Sequence, residues 1–162
     1  MILTTEQIIN ATAALITLFL FLFAIDWRFF RDWIVVYLFA NCLAFVWSSP
    51  IVNLGLIDYP VRLLPHFYNT SILFELWVFP VLCILYNQIT RESGLWPVIY
   101  YALFFSAGIV AVEYPLELYT ELIVYKSWTW FTSLYTLTFS FLIIRIFIAF
   151  YRWGCIHFGN RQ

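Results

Sequence analysis

The sequence predicts an all-α fold, an integral membrane bundle of five transmembrane helices, and three observations lead there. Hydrophobic residues make up 64% of the 162 and charged residues only 10%, so too little polar surface exists to cover a water-soluble core. Apolar stretches recur between short charged breaks, each near the roughly 20 residues that a helix needs to cross about 30 Å of hydrocarbon. Runs such as Leu15 to Ile25 and Ser140 to Ala149 are nearly continuous instead of alternating, which points to helices and away from a barrel.

Taken in order, the spans are about Gln7 to Ile25, Trp33 to Ile51, His66 to Ile89, Leu95 to Val112 and Ser127 to Tyr151. One bundle over residues 1–162 accounts for the chain as a single domain. The first span reads as a permanent helix, because "MILTTEQ" carries Glu6, no Lys or Arg, and no small-residue cleavage site follows. Arg28 and Arg31 lie in the first break, Arg91 in the third, and Arg145, Arg152 and Arg161 towards the C-terminus; the other face holds Arg62 and Lys126. The excess of positive charge on the first face places it in the cytoplasm, with the N-terminus outside and the C-terminus inside. Tryptophans agree: Trp27, Trp33, Trp96 and Trp153 fall at the inner ends and Trp47, Trp128 and Trp130 at the outer ends, where amphipathic rings meet headgroups.

A net charge of −1 leaves no basic cluster to neutralise phosphates, which excludes a nucleic-acid partner. Cys42, Cys83 and Cys155 show no CxxC pairing and read as buried structural thiols. No nucleophile elbow, phosphate-binding glycine loop or Cys/His constellation is present, and nothing designates a cofactor.

Two short stretches share a pattern. "DYPVRL" at 58–63 and "EYPLEL" at 113–118 both read acid, Tyr, Pro, aliphatic, charged, Leu, and their spacing returns the chain to one side, the outer one. Proline fixes φ near a helix start and an acid before it complements the helix N-terminus, so each copy is expected to open a short interfacial helix. Glu117 and Glu121, four residues apart, would share a helical face with Glu113 just before it, and like charges at that spacing need a cation. Arg62, at the position in the first copy that Glu117 holds in the second, is the expected partner of Glu117. A face of solvated carboxylates is the alternative for Glu113 and Glu121.

Glu75 lies about nine residues into the third span, on the order of 13 Å along the helix at ~1.5 Å per residue. A carboxylate at that depth faces a bundle interior or a wet cavity, either as a functional group or as a hydrogen-bonding contact between helices. Ser71 and Tyr68 extend a polar stripe from it, and Pro80 frees the carbonyl of Leu76 at a kink point. His66, at the entrance to the same helix, is a candidate proton relay; with two histidines and no HxxxH spacing a metal site is not assigned. Asn41 and Asn87 are expected to bond between helices, and Arg145 to snorkel to the inner surface.

Through "SSPIVNLGLIDYPVRLLP", "FELWVFP", "YNQ", "EYPLELY" and "YKSWTW", residues 49 to 135 resemble a family of small, uncharacterised integral membrane proteins of spore-forming Firmicutes. The matching positions are Pro50, Gly55, Pro60, Arg62, Pro65, Glu75, Pro80, Glu113, Tyr125, Trp128 and Trp130. The resemblance implies a multi-pass protein of the bacterial cytoplasmic membrane and supplies no activity. Tryptophan-rich sensory proteins are of similar size, but their signature is absent and tetrapyrrole binding is not transferred.

Three functional readings follow. In the first, an outward-facing cavity floored by Glu75 and rimmed by Asp58, Arg62, His66, Glu113, Glu117, Glu121, Tyr125 and Trp128 binds or transports a cationic or amphipathic small molecule or lipid. In the second, an intramembrane enzyme acts on a lipid or isoprenoid, with Glu75 as general acid and Glu117 as base. The third is an accessory subunit whose polar residues only hold helices together. Membrane lipid is the partner common to all three, and self-association is compatible with each.

Overall fold

The computed structural model describes residues 5–61 and 70–159. Helix α1 spans Thr5–Phe23. A single 3₁₀ turn, Trp27–Phe29, follows, with the Asp26 carboxylate accepting the Arg28 N–H at 3.1 Å, and α2 runs over Phe30–Asn53. A π-helical turn at Phe74–Val78 continues directly into α3, Phe79–Ile89. Helices α4, Leu95–Tyr119, and α5, Trp130–Gly159, complete the bundle. At one end two-residue strands β1, Ile57–Asp58, and β2, Val124–Tyr125, pair antiparallel with Ile57 opposite Tyr125 and Asp58 opposite Val124.

Among the described residues four helices are long and apolar enough to cross a membrane, where five were expected. The third element is the exception. Its apolar helix, Phe74–Ile89, is too short, because the chain at Thr70 and Ser71 is not yet helical and the Thr70 hydroxyl is turned onto Glu75. The short helix is also the central one: Phe79, Val81, Cys83, Ile84, Tyr86 and Asn87 are all buried. Around it pack Trp33, Val36 and Ala40 of α2, Ala102 of α4, and Phe141, Ile144 and Ile148 of α5. A helix enclosed by its neighbours has no need to match the thickness of a surrounding apolar solvent.

Small side chains bring the helices close and polar ones are satisfied locally. Ser106 and Ser140 each donate to the carbonyl four residues back, Ala102 O and Thr136 O, both at 2.8 Å. Asn41 and Asn87 do likewise, to Tyr37 O and Cys83 O, instead of bonding between helices as expected. The outer surface is apolar: Phe19 and Phe23 of α1, Leu38 of α2, Phe104 of α4, and Ile146 and Phe150 of α5 are exposed. Lipid, and not water, would solvate such a surface. Cys83 is a buried thiol, whereas Cys42 and Cys155 lie on this exposed face, since their helices turn them away from α3.

Prolines explain three local features. Pro80 has no N–H for Leu76 O, and the Tyr37 hydroxyl takes that acceptor at 2.6 Å, tying α2 to the π turn. In the turn itself the Phe79 N–H reaches back five residues to Phe74 O, which holds Glu75 on the inner face. Pro115 does not open a new helix; α4 runs through it to Tyr119, so Glu113 is helical and not in a loop. The first copy of the motif behaves differently. Gly55, at φ 66°, closes α2, with its N–H on Val52 O and that of Leu56 on Ile51 O, and the chain leaves into β1 instead of a helix. Both motifs nevertheless reach one end of the bundle, where the Val61 N–H also meets Glu121 O at 3.4 Å.

Arg145 is half-buried. Its Nη2 donates to Thr90 O at 2.9 Å and Arg91 O at 3.1 Å, capping the carbonyls left over at the C-terminus of α3.

Candidate functional site

Near the β-ladder end, a cavity of about 490 Å³ opens between α1, α2, the π turn, α4 and α5. Its wall is mainly apolar, from residues such as Ile9, Phe79, Phe105, Leu116 and Leu137. Two carboxyl groups interrupt that wall. Glu75, in the π turn, is 5% exposed and accepts the Thr70 hydroxyl at 3.1 Å. Ser48 Oγ, also in the lining, is buried and faces the same carboxyl group.

Glu113, from α4, is the centre of a network. Its Oε1 accepts the Tyr125 hydroxyl at 2.7 Å and the Ser133 hydroxyl at 3.1 Å. The two hydroxyls are 3.3 Å apart, and the Trp128 indole N–H donates to Ser133 Oγ at 2.9 Å. The β ladder sets this up by fixing Tyr125 against the buried Ile57, so that its ring leans towards α4. Among the described residues no Lys, Arg or His pairs with either Glu75 or Glu113.

Tyr59 lies in the lining between these groups. Its ring is partly at the surface, but burial of the hydroxyl end raises its pKa well above the ordinary tyrosine range, and the carboxylates of Glu113 and then Glu75 raise it further. The Tyr125 phenol is raised likewise, by burial first and then by Glu113. Both phenols therefore stay protonated in the folded protein to a higher pH than in the unfolded chain, whose tyrosines titrate near about 10. Below that pH both states hold the protons and nothing changes. Above it the unfolded state releases protons that the folded state retains, so stability falls as pH rises. The melting temperature of the purified protein is expected to drop from about pH 10 upward, and less steeply in Tyr59→Phe. Equal slopes in the two proteins would contradict the placement of Tyr59.

The nine residues expected at the site separate into groups. Glu75, Glu113 and Trp128 line the cavity, and Tyr125 joins them through Glu113. Asp58 turns to the ladder's other face and pairs with Lys126 at 3.1 Å. Glu117 is half-buried on the last turn of α4 and Glu121 is exposed beyond it; neither lines the cavity, because α4 carries them past its mouth. Arg62 and His66 lie outside the described residues, and so does the expected Arg62–Glu117 pair. Tyr59, Thr70, Ser48 and Ser133 were not expected. Tyr59 alone had a signal, as the tyrosine of the repeated acid-Tyr-Pro pattern, whereas Ser133 meets Glu113 across 20 residues of chain.

No family model, curated protein or solved structure matches the chain.

Proposed function

We propose that the protein is a multi-pass protein of the bacterial cytoplasmic membrane that binds or transports an amphipathic cation, either a small molecule or a lipid with a cationic headgroup. The supporting observation is a pair of carboxyl groups, the buried Glu75 and the half-buried Glu113, in one largely apolar cavity with no protein cation on either among the described residues. Buried charge needs a countercharge, and a ligand ammonium supplies it. Apolar walls take the ligand's body, and the rings of Trp128 and Tyr59 offer faces to a quaternary nitrogen. The acid–base reading is weaker, since Glu117, its proposed base, does not line the cavity. The Firmicutes resemblance supports the bacterial membrane, and the arginine distribution supports a ladder end facing out with the C-terminus inside.

Equilibrium binding of a radiolabelled alkyltrimethylammonium to the purified protein in uncharged detergent tests the ligand class. Saturation near one probe per chain is expected, and non-saturable partition proportional to detergent would contradict it. The orientation has its own check: in a background without the native cysteines, a thiol added after Gln162 should stay unreactive to an impermeant reagent in intact cells. Labelling of that thiol would reverse the topology.

A further inference from the structure

At the end of the bundle opposite the ladder, Arg91, in the turn after α3, and Arg152 of α5 reach the start of α2, and Arg145 of α5 bonds to the turn that carries Arg91. Arg152 Nε is 2.8 Å from Asp32 Oδ2, and the Arg91 guanidinium lies 3.2 Å above the centre of the Phe29 ring. Phe29 and Asp32 are three residues apart, so both guanidiniums lie at the start of α2. Arg145, seven residues before Arg152 on α5, donates to the carbonyls of Thr90 and Arg91, and its charge and that of Arg152 repel each other. Among the described residues Asp32 is the one carboxylate that pairs within this group, leaving it net positive.

The hydrogen bonding is incomplete in a specific way. Arg91 Nη1, Arg145 Nε and Arg152 Nη2 are each buried donors with no acceptor among the described residues. A buried N–H without a partner is costly, and three from three guanidiniums in one place call for an acceptor with several oxygens. A phosphate group has that geometry and the opposite charge, and arginine's planar fork is suited to it. The three residues are half-buried and not sealed, so small rotations of their side chains bring these nitrogens to an incoming anion.

The surroundings identify the source of the phosphate. Trp27, Trp96 and Trp153 are exposed at the same end, and Trp153 adjoins Arg152, which is the placement of rings at headgroup level. Exposed Phe150 and Ile156 on α5 give acyl chains an apolar surface beside the cluster. We infer that Arg91, Arg145 and Arg152 form a binding site for the phosphate ester of an anionic phospholipid, distinct from the cavity at the ladder end. Anionic lipids are attracted to basic pockets between helices at this level of a membrane.

The test compares melting temperatures in uncharged detergent with added phosphatidylglycerol, phosphatidylcholine or inorganic phosphate. Arg91→Gln is the main variant, because Arg91 neither caps a helix nor pairs with an acid. Phosphatidylglycerol should raise the melting temperature of the wild type by several degrees more than phosphatidylcholine, phosphate alone should not, and Arg91→Gln should lose at least half of the difference. Native mass spectrometry of the wild type should retain one phosphatidylglycerol per chain after phosphatidylcholine has been stripped, a readout that does not depend on any variant folding. Equal shifts from the two lipids, an undiminished shift in Arg91→Gln, or preferential retention of neither lipid would overturn the site. A full shift from inorganic phosphate would overturn the lipid as its ligand.

Discussion

Glu113→Ala is expected to destabilise the protein by about 2–3 kcal/mol, while Glu113→Gln costs under about 1 kcal/mol. The alanine variant removes the acceptor on which the Tyr125 and Ser133 hydroxyls converge. Those hydroxyls, 3.3 Å apart, can still bond to each other, so one donor is left buried and unpaired and not two. A void from the lost side chain adds to that cost. Glutamine keeps an amide oxygen where Oε1 lies and so keeps both bonds. Unfolding curves in detergent distinguish the cases, and similar losses for the two variants would mean that the network does not depend on an acceptor at position 113.

The second large effect concerns ligand and not stability. Glu75→Gln and Glu113→Gln are each expected to weaken binding of an alkyltrimethylammonium probe by about 2 kcal/mol or more, at least roughly thirty-fold. Removing one partner of a charge pair in an apolar site loses attraction that water would otherwise have screened. The double variant should lose more than either single one, although not by simple addition, because both carboxylates face one cavity. Binding that survives in the double variant would move the probe's site elsewhere.

What the sequence revealed of this fold follows from the range over which each signal acts. Long apolar runs mark α1, α2, α4 and α5 because length and hydropathy are properties of one segment. The helix ends were displaced where a local rule met a wider context. Pro115 looks like a helix start, but a helix already running loses only one backbone bond there, so α4 continues to Tyr119. The same acid-Tyr-Pro letters at 58–60 follow the left-handed turn at Gly55, and there the chain enters a strand. Identical motifs thus take different backbones because of what precedes them.

The site shows the same division. Glu75 stood out as an acid deep in an apolar run, a property visible without a fold, and it is buried in the cavity wall. Glu113 was placed among surface acids, since nothing in "EYPLELYTE" tells that the first glutamate is still inside a helix while Glu117 and Glu121 are beyond the cavity. The contacts of Ser133, Tyr59 and Tyr37 join segments far apart in the chain, and no spacing rule encodes them. The partners of Arg145 are not legible for a related reason: a spacing rule can say that a long charged side chain reaches along its helix, but not that the C-terminus of α3 presents open carbonyls within its reach.

The most direct test is a structure of the protein bound to an alkyltrimethylammonium with bromine at the end of its chain. The ammonium should lie on the order of 4–6 Å from the carboxyls of Glu75 and Glu113, with the bromine among the apolar residues of the same cavity. A cavity holding only water, with bromine on the lipid-facing surface of the helices, would contradict the proposed function.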